Sequence, residues 1–208
     1  MTKVYFRYGC MESAKTTRLL TDSHEYKQRG EFPLLLKPVV DTRSSKGMIE
    51  SRTGLSAPCI DIDERFNIQR YVYNLLDSGC EVACIFVDEA QFLTTAHIVQ
   101  LRMVADLFQI PVICYGLKTN FMGVMFDGSR ALFEHANRFE EIKTICREEG
   151  CKSKAIYNVR FLDGEPMFEG ESIVIGDTKQ EKNKYYYIPK CSKHFFNDYN
   201  TFNKAKGE

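Results

Sequence analysis

A short segment near the N-terminus has the residue order of a loop that binds the phosphates of a nucleotide. An apolar run at 4–8 predicts a strand, and it leads directly into Gly9, Cys10, Met11, Glu12, Ser13, Ala14, Lys15 and Thr16. In such a loop, backbone N–H groups and the N-terminus of the following helix hold the phosphates. Lys15 would reach the outer phosphates, and the Thr16 hydroxyl would bind Mg²⁺. Ala14 stands where this motif usually has glycine, so this motif alone leaves an ordinary strand-to-helix turn as the alternative.

A second candidate catalytic segment follows the apolar run at 82–87, which predicts a strand covered on both faces. Asp88 and Glu89 come next, at the carboxyl end of the strand, where open parallel sheets bind ligands. Asp88 would help to hold the magnesium, and Glu89 would accept the proton of an attacking hydroxyl or water. An isolated pair of this kind is more often a solvated loop or a helix cap. Together with the phosphate loop, the Asp88–Glu89 pair favours a catalytic role. We expect the two motifs to lie at the ends of neighbouring strands, on opposite sides of one phosphoryl group.

Four potential metal ligands form two close pairs about forty residues apart: Cys146, Cys151, Cys191 and His194. A Cys₃His set of this kind is typical of a closed, tetrahedral structural zinc site. In a domain of about 60 residues, the metal would supply stability that so small a core lacks. The alternative is a set of reduced cysteines without metal beside a surface histidine. The other five cysteines are expected to be buried or idle thiols.

The order of apolar runs predicts two different halves. Strands alternate with helices up to about residue 144, which indicates an α/β fold with a parallel sheet and right-handed crossovers. Short alternating runs at 155–161 and 172–175 then predict small antiparallel strands, and the polar tail at 200–208 predicts fraying. We therefore predict a nucleotide-binding α/β domain at 1–144 and a small β-rich, zinc-binding domain at 145–208.

The composition excludes several classes of protein. The 208 residues carry a formal net charge of zero, so a strongly basic nucleic-acid-binding face is not expected. No apolar run is long enough to span a bilayer, and the N-terminus leaves no room for a targeting segment, so we expect a cytosolic protein without a membrane partner. A two-domain helicase would need a second sheet domain, which this length does not hold.

The motifs in their order resemble the thymidine kinases of the cytosolic, zinc-containing type, and are closest to the bacterial and phage branch. The resemblance spans nearly the whole chain and is carried by the segments 9–17, 37–43, 51–54, 88–92, 115–121, 143–146, 174–176 and 191–194. It implies a P-loop (RecA-like) parallel sheet flanked by helices, with a small β-rich zinc-binding domain. From that domain a loop called the lasso would close over the nucleoside.

The resemblance also implies an activity: transfer of the γ-phosphoryl group of ATP to the 5′-hydroxyl of thymidine or deoxyuridine. Glu89 would be the general base, Asp88 and Thr16 the magnesium-associated residues, and Lys15 the phosphate clamp. Gln91 and the loop residues 9–14 would also bind ATP. The implied nucleoside site comprises Met11, Leu117, Phe121, Phe126, Ile173, Val174, Ile175, Gly176 and Tyr187. A homotetramer and feedback inhibition by dTTP are implied as well, while core packing stays the alternative for Leu117 and Phe126.

Two departures from the family pattern lie in the phosphate loop. Ala14 replaces a glycine, and Glu12 adds a negative charge where phosphates would bind. They keep a non-catalytic nucleotide-binding protein open as an alternative function. A nucleic-acid-stimulated ATPase is a third option. Dependence of ADP release on thymidine or on DNA distinguishes these hypotheses from a nucleoside kinase.

Overall fold

The computed structural model describes residues 2–171 and 184–207. They form two compact units, each built from several segments of the chain. The first contains residues 2–8, 14–116 and 127–141, and the second contains 9–13, 117–126, 142–171 and 184–207. The division of the chain at residue 144 into functional domains stays a prediction.

The first unit contains a six-stranded, wholly parallel sheet, as the sequence predicts. Its strands occur in the order β5-β2-β6-β7-β1-β8, and β3 and β4 form a separate antiparallel pair. The eight strands are β1 Val4–Tyr8, β2 Phe32–Pro38, β3 Met48–Glu50, β4 Ser56–Pro58, β5 Ile60–Ile62, β6 Val82–Val87, β7 Val112–Gly116 and β8 Arg138–Glu141. Strand β8, which carries three charged residues, was not expected from the sequence.

Helices cover both faces of this sheet. They are α1 Lys15–Gln28, α2 Ile68–Asp77, α3 Thr95–Leu107 and α4 Asp127–His135. Buried side chains of α2, α3 and α4 share one core with alternate residues of the strands, among them Ile85 and Val87. The intervening Phe86 packs edge-on against Tyr26 of α1, with ring centroids 5.6 Å apart. The alternation explains why β6 reads as a continuous apolar run.

The strands that lead to the two catalytic motifs are separated by β7. Cys114 of β7 pairs with Val87 of β6 on one side and with Phe6 of β1 on the other, so the three strands end at one edge. The expectation that β1 and β6 are neighbours is therefore wrong, because β7 supplies the spacing between their ends. Gly116 closes β7, and a Cβ there would lie only 2.6 Å from Oε1 of Gln91. This close approach lets the turn after β6 pass over the end of β7.

The second unit contains a three-stranded antiparallel sheet in the order β10-β9-β11. These strands are β9 Tyr157–Leu162, β10 Glu165–Met167 and β11 Tyr185–Lys190. Alternate residues of β9 and β11 form a core with Phe168 and Phe195. The prediction of antiparallel strands is confirmed for β9, whereas the run at 172–175 lies outside the described residues.

A helix, α5 Ser192–Lys206, follows the last strand, so the prediction of a frayed tail is wrong. Its aromatic side chains hold it against the second unit. Phe195 stacks on Tyr157 with ring centroids 4.1 Å apart and meets Phe168 edge-on at 5.3 Å. Gly207 ends the helix in the left-handed conformation. Within the described residues, no helix combines the length and apolarity needed to cross a membrane.

Candidate active site and metal centre

The phosphate loop has an unusual backbone for its sequence. Glu12 and Ala14 both adopt the left-handed region, with φ of 61° and 58°. Helix α1 begins directly after Ala14, which as the N-cap residue makes no side-chain hydrogen bond to the helix. Gly9 is required by space, because a Cβ there would lie 2.4 Å from the carbonyl oxygen of Ile142. The loop thus combines a tight turn with the N-terminus of a helix, which is the backbone arrangement that binds anions.

Thr16 and Asp88, the two residues predicted to be associated with magnesium, contact each other. The Thr16 hydroxyl donates to Oδ2 of Asp88 at 3.0 Å. Oδ1 of Asp88 is buried and has no hydrogen-bond partner among the described residues. Burial raises the pKa of Asp88 to about 7, and the charge of Glu89 adds to the rise. A bound cation would stabilise the charged form of this buried carboxylate. The Thr16 hydroxyl and the Asp88 carboxylate therefore fit a magnesium ion.

Glu89 is buried as well, but its electrostatic surroundings are the opposite. Burial alone would raise the pKa of Glu89, yet the positive charges of Arg43 and Lys15 outweigh it and hold that pKa below its ordinary value. Arg43 forms an ion pair with Oε1 of Glu89, and Gln91 donates from Nε2 to Oε2. Oδ1 of Asp41 accepts from Arg43 Nε at 2.7 Å and orients the guanidinium. Glu89 is therefore an ionised carboxylate with a fixed orientation near Lys15.

The four predicted metal ligands lie together in the second unit. The Sγ atoms of Cys146, Cys151 and Cys191 and a ring nitrogen of His194 all lie within 4.8 Å of one another. Nδ1 of His194 is 3.3 Å from Sγ of Cys191 and 3.4 Å from Sγ of Cys146. The Zn–S and Zn–N bond lengths of a tetrahedral site place such ligand atoms about 3.5–3.8 Å apart. The cluster is compatible with a zinc site in its donor types and its dimensions.

Three of the residues predicted to bind the nucleoside are tied to one strand of the second unit, β9. The backbone N–H of Met11 donates to Oδ1 of Asn158 at 2.8 Å. The guanidinium of Arg160 lies 3.6 Å from the ring centroid of Phe121. Burial raises the pKa of Tyr187, while a hydrogen bond from Arg160 opposes that rise.

Known proteins resemble this chain over nearly its whole length. The family model described as thymidine kinase matches residues 2–195. A thymidine kinase of Lactococcus lactis subsp. lactis (strain IL1403) is 38% identical over 196 residues, which cover 94% of this chain and 98% of the relative. One of Lactobacillus acidophilus is 36% identical over 201 residues, covering 94% and 97%. One of Enterococcus faecalis is 37% identical over 197 residues, covering 94% and 95%.

The chain belongs to the thymidine kinase family. The resemblance drawn from the motifs is confirmed, and with it the P-loop α/β fold. Of the predicted site residues of this family member, the structure brings together Lys15, Thr16, Asp88, Glu89 and Gln91 in the first unit, and the four metal ligands in the second. Their catalytic and binding roles stay predictions.

The remaining predicted nucleoside residues lie in two segments of the chain. Leu117 and Phe126 are half-buried at the two ends of the segment 117–126. Asn120 fixes the turn between them, since its Oδ1 accepts from the backbone N–H groups of Met122 and Val124. The four predicted main-chain partners of the base, Ile173, Val174, Ile175 and Gly176, lie outside the described residues.

Three residues described above received no role from the sequence. Arg43 is part of a family motif, but its pairing with Glu89 joins positions 46 residues apart in sequence and has no local signal. Asn158 and Arg160 alternate on β9 with the apolar Val159 and Phe161. That alternation indicates a polar face, but such a face is normally exposed, whereas here both polar residues are buried.

Proposed function

We propose that this chain transfers the γ-phosphoryl group of ATP to the 5′-hydroxyl of thymidine, with deoxyuridine as a second acceptor. The observation that carries the proposal is the buried, ionised Glu89 beside Lys15, at the sheet edge where the phosphate loop begins. Membership of the thymidine kinase family supports the choice of phosphoryl donor and acceptor.

In the proposed reaction, each catalytic group acts at one position along the line of transfer. Lys15, Gln91, the backbone of residues 9–14 and the N-terminus of α1 hold the phosphates of ATP. Thr16 and Asp88 would hold a magnesium ion, which would supply positive charge to the phosphates of ATP. Glu89 accepts the proton of the 5′-hydroxyl as this oxygen forms its bond to the γ-phosphorus. The bond from that phosphorus to the bridging oxygen breaks, and ADP leaves.

The lowered pKa of Glu89 constrains how it acts. A carboxylate of low pKa is a weak base toward an alcohol in the ground state. Phosphoryl transfer passes through a loose transition state in which the attacking oxygen has formed little bond, so the proton need not leave early. Arg43 and Gln91 would therefore serve chiefly to aim the carboxylate at the hydroxyl, and proton transfer would complete late.

The test of this role is Glu89→Gln, with Glu31→Gln as the matched control. Glu31 makes an exposed ion pair with Arg29, away from the phosphate loop. The Glu89 variant should lower kcat by roughly 10²–10⁴ fold and change the KM for ATP little, because the amide keeps the size but not the basicity. The control should match the unmodified protein. A Glu89 variant with normal kcat would remove the proposed base.

For the nucleoside we propose a site lined by Met11, Leu117, Phe121, Phe126 and Tyr187, with main-chain partners at 173–176. Apolar and aromatic walls around a few polar groups suit a flat pyrimidine. A panel of nucleosides tested with ATP and magnesium should show phosphate acceptance by thymidine and deoxyuridine and little acceptance by purine nucleosides. ADP release that depends on DNA instead of thymidine would contradict the proposed acceptor.

The proposal extends to the metal, the assembly and the location. The Cys₃His cluster would hold one zinc ion per chain, which elemental analysis of the purified protein measures. A homotetramer is expected in sedimentation experiments, and dTTP should inhibit competitively with respect to thymidine. None of the eight cysteines, all of which lie in the described part of the chain, forms a disulfide, which favours a cytoplasmic location.

A further inference from the structure

An arginine is fully buried in the second unit. Arg160 lies in the middle of β9 with 1% of its surface exposed, and it is the largest of the fully buried side chains among the described residues. Nη1 donates to the carbonyl oxygen of Glu171 at 3.0 Å, and Nη2 donates to that of Glu169. Its guanidinium also lies over two aromatic rings, 3.6 Å from the centroid of Phe121 and 4.6 Å from that of Tyr185.

The strand pairing sets Arg160 on the face opposite the core of this unit. Arg160 pairs with Tyr187, and Leu162 pairs with Tyr185. Because side chains alternate along a strand, these residues share one face with Asn158. Val159, Phe161 and Tyr186 point the other way, into the hydrophobic core of the unit. The face of Arg160 is thus the face that also holds the backbone of Met11 through Asn158.

The partners of Arg160 within the described residues are main-chain carbonyl groups, a phenol and aromatic rings. Burying a guanidinium with such neutral partners costs free energy, and an apolar side chain would fill the same space without that cost. A planar cation, however, does what an apolar residue cannot. It fixes the plane of a ring that it stacks on and directs hydrogen bonds along set directions. Phe121 and Tyr187 are the two residues of the proposed nucleoside site that it orders in this way.

We propose that Arg160 is a positioning residue for the nucleoside site. Its guanidinium holds the ring of Phe121 in one plane and fixes the hydroxyl of Tyr187, so that the aromatic wall is preformed before the pyrimidine binds. A preformed wall binds more tightly because the side chains lose less rotational freedom on binding. The inference rests on the proposed nucleoside kinase activity and concerns the thymidine end of the reaction, not the ATP end.

The experiment compares Arg160→Met and Arg160→Lys with Val159→Ala as a matched control. Val159 is fully buried on the opposite face of the same strand, so its truncation weakens the core without touching the aromatic wall. For each variant, the melting temperature and zinc content are measured first. The KM values for thymidine and for ATP and kcat follow, with thymidine binding measured by calorimetry.

Arg160→Met should raise the KM and the dissociation constant for thymidine by about 10-fold or more, while the KM for ATP changes less than about 2-fold. Arg160→Lys keeps the charge but not the planar guanidinium, so its KM for thymidine should lie between those of the unmodified protein and of Arg160→Met. Val159→Ala should lower the melting temperature with no change in the KM for thymidine. If Arg160→Met does not fold, the comparison of Arg160→Lys with Val159→Ala tests the proposal instead.

Two outcomes would overturn the inference. One is a folded, zinc-containing Arg160 variant with the thymidine KM of the unmodified protein. The other is a Val159→Ala variant that raises this KM as much as the Arg160 variants, which would reduce the effect to general loss of stability. If the unmodified protein phosphorylates no pyrimidine nucleoside at all, the proposed function fails instead, and that result is obtained before any variant is compared.

Discussion

The backbone of Ala14 makes Ala14→Gly a stabilising substitution. Ala14 has φ of 58° and ψ of 28° and is exposed, so its methyl group makes little packing contact and sits in a conformation that disfavours any Cβ. The left-handed region costs an alanine about 1–2 kcal/mol relative to glycine. Glycine gives back about 0.4–1 kcal/mol because its unfolded chain is more flexible. The net gain should be about 0.5–1 kcal/mol, or roughly 1–4 °C in the melting temperature for a chain of this size.

The matched control is Gln109→Gly. Gln109 has φ of 56° and lies outside the phosphate loop, after helix α3. Its side-chain hydrogen bonds, to Thr2 and to the carbonyl oxygen of Asp106, are exposed, so their loss should cost little. Thermal and urea unfolding of both variants without nucleotide should show similar gains, because the same backbone penalty is relieved at both positions.

The two variants should differ only at the nucleotide. Ala14→Gly frees the approach to the phosphates and should keep or lower the KM for ATP, whereas Gln109→Gly should leave it unchanged. A destabilised Ala14→Gly variant beside a stabilised Gln109→Gly variant would refute the strain argument. A KM for ATP raised more than about 3-fold would show that the loop depends on the methyl group to hold its shape.

Three further predictions concern the charges and the metal. Because burial raises the pKa of Asp88, its ionisation lowers the stability of the magnesium-free fold as pH rises from about 4 to about 7. At pH 7.5, Asp88→Asn should therefore be more stable than the unmodified protein by about 1–3 kcal/mol in urea titrations. At pH 5.5 this difference in stability should be smaller. Removal of zinc by a chelator should lower the melting temperature by more than 10 °C and abolish thymidine binding, with recovery on adding zinc. Nε of Arg147 pairs with Glu12 at 2.8 Å, so Arg147→Gln should raise the KM for ATP about 3–10-fold by removing this countercharge, and Glu12→Gln in the same chain should restore it.

The sequence predicts most of the first unit because its elements carry strong local signals. Strands β1 and β6 have the bounds 4–8 and 82–87 that their apolar runs indicate. Strand β8 carries no such signal, since three of its four residues are charged and it lies at the edge of the sheet. Its place is set by pairing with β1, which is a non-local interaction.

Helix α5 shows a different limit. The segment 192–206 is rich in asparagine and aromatic residues, which are weak helix formers, and its polar end is therefore predicted to fray from residue 200. The helix forms because Phe195 is buried between Tyr157 and Phe168. The free energy gained by burying this large ring outweighs the cost of weak helix propensity, which is a few tenths of a kcal/mol per residue. The same reasoning makes α5 dependent on the integrity of the second unit, so chelation of zinc should reduce its helical signal in circular dichroism.

The ionisation states of the carboxyl groups in the candidate active site are the feature that the sequence predicts least. Asp88 and Glu89 are adjacent, chemically similar and equally buried, yet the pKa of the first is raised and that of the second is lowered. The difference comes from the positive charges of Arg43 and Lys15 beside Glu89. Arg43, which pairs with both Asp41 and Glu89, arrives from a loop 46 positions away. Two neighbouring carboxyl groups pushed apart in pKa can take different roles, one ready for a cation and one ready for a proton. The assignment of base and metal ligand therefore depends on a tertiary contact, and reversing that contact with Arg43→Gln should raise the pKa of Glu89 and shift the acid limb of the kcat profile upward in pH.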